Sequence, residues 1–289
     1  MTSLSVADAQ AYCTALTKKS GSNFYYSFLF LPKTRRAAMY TVYAFCKEVD
    51  NAVDEPPAGS NPQEELQRWR SELDAAYHGT PTFPVAISLA EHVRHLAIPQ
   101  AYFDELIKGV EMDLTASRYA SFQDLSLYCY RVASVVGLIC LHIFGPTSAR
   151  AQDYAIALGM AFQLTNILRD IGTDAAQGRI YLPQEDLKRF SCTDQQILQR
   201  QETDAIRGLF HFEIARAHEY YAKAKAAFEA LPRCDQQALT VSEIMRAVYF
   251  RILKKIEEPR HRIFGPRARL ATSHRLTVAA GVWFRSRST

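Results

Sequence analysis

An all-α bundle is the fold class that this 289-residue sequence predicts. Three observations lead there. Apolar residues recur at the three- and four-residue spacing of a helix face along almost the whole chain. Sustained apolar–polar alternation is nearly absent, and no Asn-Gly or Asp-Gly pair joins two apolar runs as a hairpin would. Prolines stand at the heads of the periodic segments, where a missing N–H is harmless.

The elements follow in order. Ser5 to Lys19 reads as a first helix. Pro32 opens a second, which runs through Tyr40, Tyr43 and Phe45 to Asp54 and stops at Pro56-Pro57-Ala58-Gly59. Asn61-Pro62 opens a third, with Leu66, Trp69, Leu73 and Tyr77 as its apolar face. Pro84, Pro99 and Ser121 mark later starts. The apolar run Val132 to Phe144 is 13 residues long, short of the roughly 20 that cross a bilayer, and is expected to be a core helix. Ser148 to Asp170 reads as one long helix, and Gly172 and Gly178 loosen the chain after it. A helix is expected from Asp194 to Leu231 and another from Pro232 to Glu258, broken by Pro259. The tail from His274 to Arg287 mixes Leu276, Val278, Val282, Trp283 and Phe284 with arginines. A plain C-terminal helix is expected there, with a helix lying on a membrane surface as the alternative.

Hydrophobic content of 48% supports a large core. No repeat, linker or low-complexity stretch divides the chain, so a single domain over residues 1–289 is expected, with central helices facing a cavity. The net charge of +4 is too mild to suggest nucleic acid. Six cysteines are scattered without a C-x-x-C pair, as reduced cytosolic thiols would be. The first residues show no basic region followed by an apolar run, so a cytoplasmic location is expected. The histidine pairs His92/His95 and His211/His218 lack the neighbours of a zinc site.

Two acidic runs point to chemistry. Asp50 and Asp54 are four apart, as are Asp170 and Asp174. Residues four apart share a helix face. Gln163, Asn166, Asp170 and Asp174 make one polar stripe on an otherwise apolar helix, and a buried polar stripe needs partners. Alone, the first pair could be a solvated helix end and the second a structural network. Together they suggest two carboxylate walls, with Mg²⁺ bridging a diphosphate between them. Mn²⁺ is the alternative metal. Lys47, Arg179 and Arg267 are candidates to take charge from a departing diphosphate. Phe24, Tyr43, Phe45, Tyr128, Val132 and Val136 could wall an apolar cavity whose aromatic faces stabilise a carbocation.

The chain resembles the squalene/phytoene synthase family of head-to-head prenyltransferases, which have the isoprenoid-synthase type of helical bundle. The matching blocks are Ser22-Asn23-Phe24-Tyr25, Tyr43-Ala44-Phe45-Cys46-Lys47-Glu48-Val49-Asp50 with Asp54, Tyr128-Cys129-Tyr130-Arg131-Val132-Ala133 with Val136-Gly137, Gln163 to Asp170, and Gly172, Asp174 and Gly178 to Pro183. They keep order and spacing from about residue 15 to 270. The closer similarity is to bacterial presqualene diphosphate synthases of the hopanoid pathway. The resemblance implies that Asp50, Asp54, Asn166, Asp170 and Asp174 bind Mg²⁺. It implies that Lys47, Arg179, Tyr181, Arg267, Ser22 and Asn23 touch diphosphate. Tyr43, Tyr128 and Gln163 would lie near the reacting carbons, with Asp113 an acidic neighbour. The expected substrate is farnesyl diphosphate, NADPH is not expected, and the product would pass to downstream hopanoid or squalene enzymes. Squalene, hydroxysqualene, dehydrosqualene or phytoene are alternative products, and a catalytically inactive assembly factor is the non-enzyme alternative. Three positions depart from the pattern. Lys47 stands where Arg is usual, which keeps charge and loses a planar grip on phosphate. Asn51 replaces a frequent second acid. Asn23 replaces a frequent Ser and is similar to the partner enzyme that consumes presqualene diphosphate.

Overall fold

A computed structural model describes residues 4–288, and the side chains of Asn23 and Ser288 lie outside the described part. All regular structure among the described residues is helical. The helices are α1 (Val6–Lys19), α2 (Asn23–Phe28), α3 (Lys33–Asp54), α4 (Pro62–His78), α5 (Pro84–Leu96), α6 (Gln100–Thr115) and α7 (Phe122–Cys129). After α7 comes a π turn (Tyr130–Ser134), which runs straight into α8 (Val135–Phe144). Then follow α9 (Ala151–Ala176), α10 (Gln184–Arg189), α11 (Asp194–Leu198), α12 (Asp204–Glu229), α13 (Arg233–Ala238), α14 (Thr240–Ile256) and α15 (Thr272–Ser288).

The starts obey local chemistry. Ser5 and Ser22 accept the second or third N–H of α1 and α2, and Ser121 closes a capping box with Asp124 on α7. Asn61 caps α4, whose first residue is Pro62. The long apolar α9 is the hub: α8 and the π turn flank it, and α12 and α14 pack on it from other sides. Gly159 makes this possible. A Cβ there would stand 2.5 Å from the Ser134 Cα, so only glycine lets α9 press against the π turn.

Several expectations need correction. The helix expected to end at Asp170 continues to Ala176, with Gly172 inside it and close to the backbone of Phe264. The single helix expected from Asp194 to Leu231 is two, because Arg200 takes a left-handed conformation and Thr203 caps a new start. Pro232 to Glu258 likewise divides at Leu239. The run at Val132 belongs to a continuous 23-residue helical segment, Phe122–Phe144. That segment is long and apolar enough to cross a membrane by length and composition, yet it packs against α3, α6 and α9 inside the bundle. Phe45 is fully buried against Trp69 and Phe103 and belongs to the core behind α3, not to a cavity wall. The tail forms α15, packed along α14 and α2.

Candidate active site

The last turns of α3 present Tyr43, Lys47, Asp50 and Asp54. Asp54 Oδ1 accepts from Arg179 Nη1 at 2.9 Å. Asp50 keeps accessible surface on its open side, and protein crowds it on the others. Burial, then the charge of Asp54, pushes its carboxyl up to about 6, with Lys47 pulling the other way.

The facing wall comes from α9. Asp170 accepts two hydrogen bonds from Arg169, at 2.9 and 2.7 Å, and lies 3.0 Å from Arg267 Nε. One turn later, burial and then Asp170 raise the Asp174 carboxyl to about 7, against Arg267 and Arg179. Gly178, at φ 76°, folds the chain back so that the Arg179 N–H reaches the Asp174 carbonyl at 2.9 Å. The next residues pair with the loop after α6, Ile180 with Ser117 and Gln184 with Tyr119. Arg179 is thereby set between the walls.

Asp113 of α6 closes the gap. It accepts from Tyr181 at 2.8 Å and from Tyr128 at 3.0 Å. Burial raises its carboxyl, and the two phenols pull it back. Its charge and that of Arg179 act on Asp50 and on Asp174 alike. The two aspartate pairs therefore surround one electrostatic centre. Tyr119 stacks on Tyr181 and tilts toward Tyr128, at 6.0 and 5.6 Å between ring centres.

An apolar cavity of about 200 Å³ leads away from the walls. Tyr43 and Cys46 line it one turn or two before Asp50, and Gln163 and Asn166 line it before Asp170. Phe24, Phe28, Val132, Val136, Leu158, Phe162 and Met245 form much of the rest. Phe24, Phe162 and Tyr249 cluster, with Phe162 and Tyr249 ring centres 4.5 Å apart. Asn166 Nδ2 donates to Gln163 Oε1 at 3.2 Å, leaving its own Oδ1 buried without a partner. A cleft of about 330 Å³ on another side of α3, lined by Glu48, Asn51, Glu65 and Trp69, holds none of the paired aspartates.

Most of the residues expected from sequence thus meet at one end of the bundle. Tyr43, Gln163, Asn166, Phe24, Val132 and Val136 line the cavity, and Lys47, Asp50, Asp54, Asp170, Asp174, Arg179 and Arg267 ring its mouth. Tyr128 and Tyr181 turn to Asp113 instead of the cavity lining. The Ser22 hydroxyl accepts the Phe24 N–H at 3.2 Å and caps α2. The side chain of Asn23 is outside the described residues. Sequence reasoning missed Tyr119, Arg169, Phe28 and Phe162. Arg169 was visible beside Asp170; the aromatic residues gave no signal that separates a cavity wall from core.

No three His, Cys, Asp or Glu side chains among the described residues close on one point as a metal cage does. The donor set is nonetheless all oxygen: four carboxylates from two helices and the unpartnered Asn166 carbonyl. Mg²⁺ commonly takes one or two carboxylates and completes its octahedron with water and substrate phosphates. The residues fit that mode, and the crowding that raises Asp50 and Asp174 is what a cation would relieve.

A family model described as squalene/phytoene synthase matches residues 17–275. The chain is 35% identical to the 15-cis-phytoene synthase of Synechocystis sp., covering 98% of this chain and 86% of that one. It is 34% identical to the phytoene synthase of Arthrospira platensis, covering 92% and 89%. Among solved structures, squalene synthase HpnC from Alicyclobacillus acidocaldarius aligns with a TM-score of 0.76 at 30% identity, over 88% of this chain and 96% of that one. A dehydrosqualene synthase in complex with ligand aligns with a TM-score of 0.83 at 28% identity, over 98% of both.

Proposed function

The chain belongs to the squalene/phytoene synthase family of prenyltransferases, and we propose that it joins two farnesyl diphosphates head to head into presqualene diphosphate. One observation carries this reading: two aspartate pairs share Asp113 and Arg179 at the mouth of an apolar cavity. A diphosphate belongs at the charged end and a prenyl chain in the apolar end.

Asp50, Asp54, Asn166, Asp170 and Asp174 would hold Mg²⁺, or Mn²⁺, which when bound supplies positive charge against the leaving diphosphate. Arg179, Arg267 and Lys47 hold diphosphate oxygens, the two arginines exchanging a carboxylate partner for phosphate. As the C1–O bond of the first farnesyl diphosphate breaks, the electron pair leaves with the diphosphate. The cavity walls keep water from the allylic cation, and the aromatic faces of Tyr43, Phe24 and Phe162 stabilise it. The 2,3-double bond of the second substrate attacks C1, placing the cation on its C3. Loss of a C1 proton closes the cyclopropane. Tyr128 already donates its proton to Asp113, and its phenol is held well above its ordinary value by burial. The released diphosphate is the stronger base and takes the proton. No electrons are gained or lost, so the balance needs no NADPH, and the product keeps one diphosphate for a downstream hopanoid or squalene enzyme.

The phytoene synthases at 35% and 34% identity favour a second reading, condensation of 20-carbon chains to phytoene. Incubation with Mg²⁺ and each diphosphate in turn, with and without NADPH, separates the two by product mass. Turnover of the 20-carbon substrate alone would overturn the 15-carbon reading.

A further inference from the structure

We propose that the face built by α2 and α15 docks on an anionic phospholipid surface. Residues 9–47 carry six Lys or Arg and no acid, and residues 259–289 carry seven Arg and no acid. Together they hold +13 in a chain of net +4, so the remainder is −9; Lys47 and Arg267 belong to the cavity mouth, which leaves +11 outside the site. The fold brings these two acid-free segments together. α15 packs along α2: Trp283 meets Phe30 at 5.4 Å between ring centres, and the Arg275 guanidinium sits 5.7 Å from the Tyr26 ring.

Apolar side chains break the surface on this face. Leu276, Ala280 and Phe284 are four apart and share one stripe of α15. Leu276 is 40% exposed and Phe284 68%, and Leu29 at the end of α2 is 39% exposed. Arg285 and Arg287 follow the stripe, and Lys33 and Arg35 are exposed beyond Leu29. The acid beside Arg285, Glu243 of α14, is mostly buried and paired with Arg246 at 2.7 Å. Apolar wedges flanked by cations suit a bilayer interface. The same excess of one charge opposes a second copy of this face, because like charges would be juxtaposed. The benefit rests on the reaction proposed above. Phe24 and Phe28 of α2 line the apolar cavity, so a bilayer against α2 would receive a 30-carbon product without passing it through water.

Sedimentation of the full chain with vesicles of phosphatidylcholine, with and without phosphatidylglycerol, tests the surface. No substrate is added, so a vesicle-bound protein that fails to turn over farnesyl diphosphate would refute the reaction and not the surface. Binding is expected only with phosphatidylglycerol and should weaken in high salt. F284D and, separately, R285E/R287E should each lower it by about tenfold or more, since each basic residue near an anionic surface contributes roughly fivefold. Both variants should keep wild-type circular dichroism and farnesyl diphosphate turnover without vesicles. Absence of binding to phosphatidylglycerol vesicles, unchanged binding in both variants, or a dimer in gel filtration that F284D dissociates would overturn the proposal.

Discussion

Asp174 sits where binding and stability pull against each other. Its carboxyl titrates at about 7 in the fold, raised by burial and by Asp170, against about 3.9 in an unfolded chain. The folded state therefore holds this proton more tightly. Below the unfolded value the charge is absent and nothing is lost; stability falls as pH climbs from there to about 7, and the full penalty stands above it. Asp174→Asn should raise the Tm of the metal-free protein at pH 8 by a few degrees, with the gain shrinking toward pH 4. Thermal unfolding in chelator checks this, and a lowered Tm at pH 8 would refute the repulsion. The same protons compete with Mg²⁺ at Asp50 and Asp174. Metal affinity, read by titration calorimetry, should drop as pH falls from about 7 through 6, and a pH-independent affinity would remove these two acids from the metal set. Asp54→Ala and Asp170→Ala should each abolish turnover while the helical circular dichroism stays intact. Wild-type activity in either would end the two-wall assignment.

Helices carried most of what could be read in advance, and the misreadings have local causes. The α3 and α9 stripes were legible because polar residues at spacings of three and four stand out on apolar helices. The break before α12 was not, because neither Gly nor Pro marks it; Arg200 takes a left-handed φ of 54° instead. Gly172 looked like a loosening point. It is a contact point, leaving room inside α9 for the Phe264 backbone. The π turn at Tyr130–Ser134 has no sequence signature, yet it orients Tyr128 toward Asp113 on one side and Val132 and Val136 toward the cavity on the other. Its seat is Gly159. Gly159→Ala would drive a Cβ into the Ser134 backbone, and overpacking of this kind costs about 1–3 kcal/mol. Denaturant unfolding should show that loss, together with reduced activity from a displaced Tyr128; an unperturbed midpoint would mean that the turn can shift freely.

Across the whole molecule, the site exists because distant segments converge. Spacing placed each aspartate pair on its own helix face; that the faces meet, with Asp113 and Arg179 between them, depends on packing that no local pattern encodes. Asp113 illustrates the limit. Spacing gives it no partner near the end of α6, and the resemblance names it as an acidic neighbour without saying what holds it; in the fold two phenols hold it between the walls. Phe45 illustrates the opposite error, an aromatic residue at helical spacing that is simply core. The family and its helical bundle were readable from several blocks in register, whereas the product depends on cavity shape. The most direct measurement is mass analysis of products formed with Mg²⁺ and farnesyl diphosphate, with and without NADPH. A 30-carbon product that retains one diphosphate and is unchanged by NADPH is the expected result. No consumption of farnesyl diphosphate, or a product that has lost both diphosphates, would contradict it.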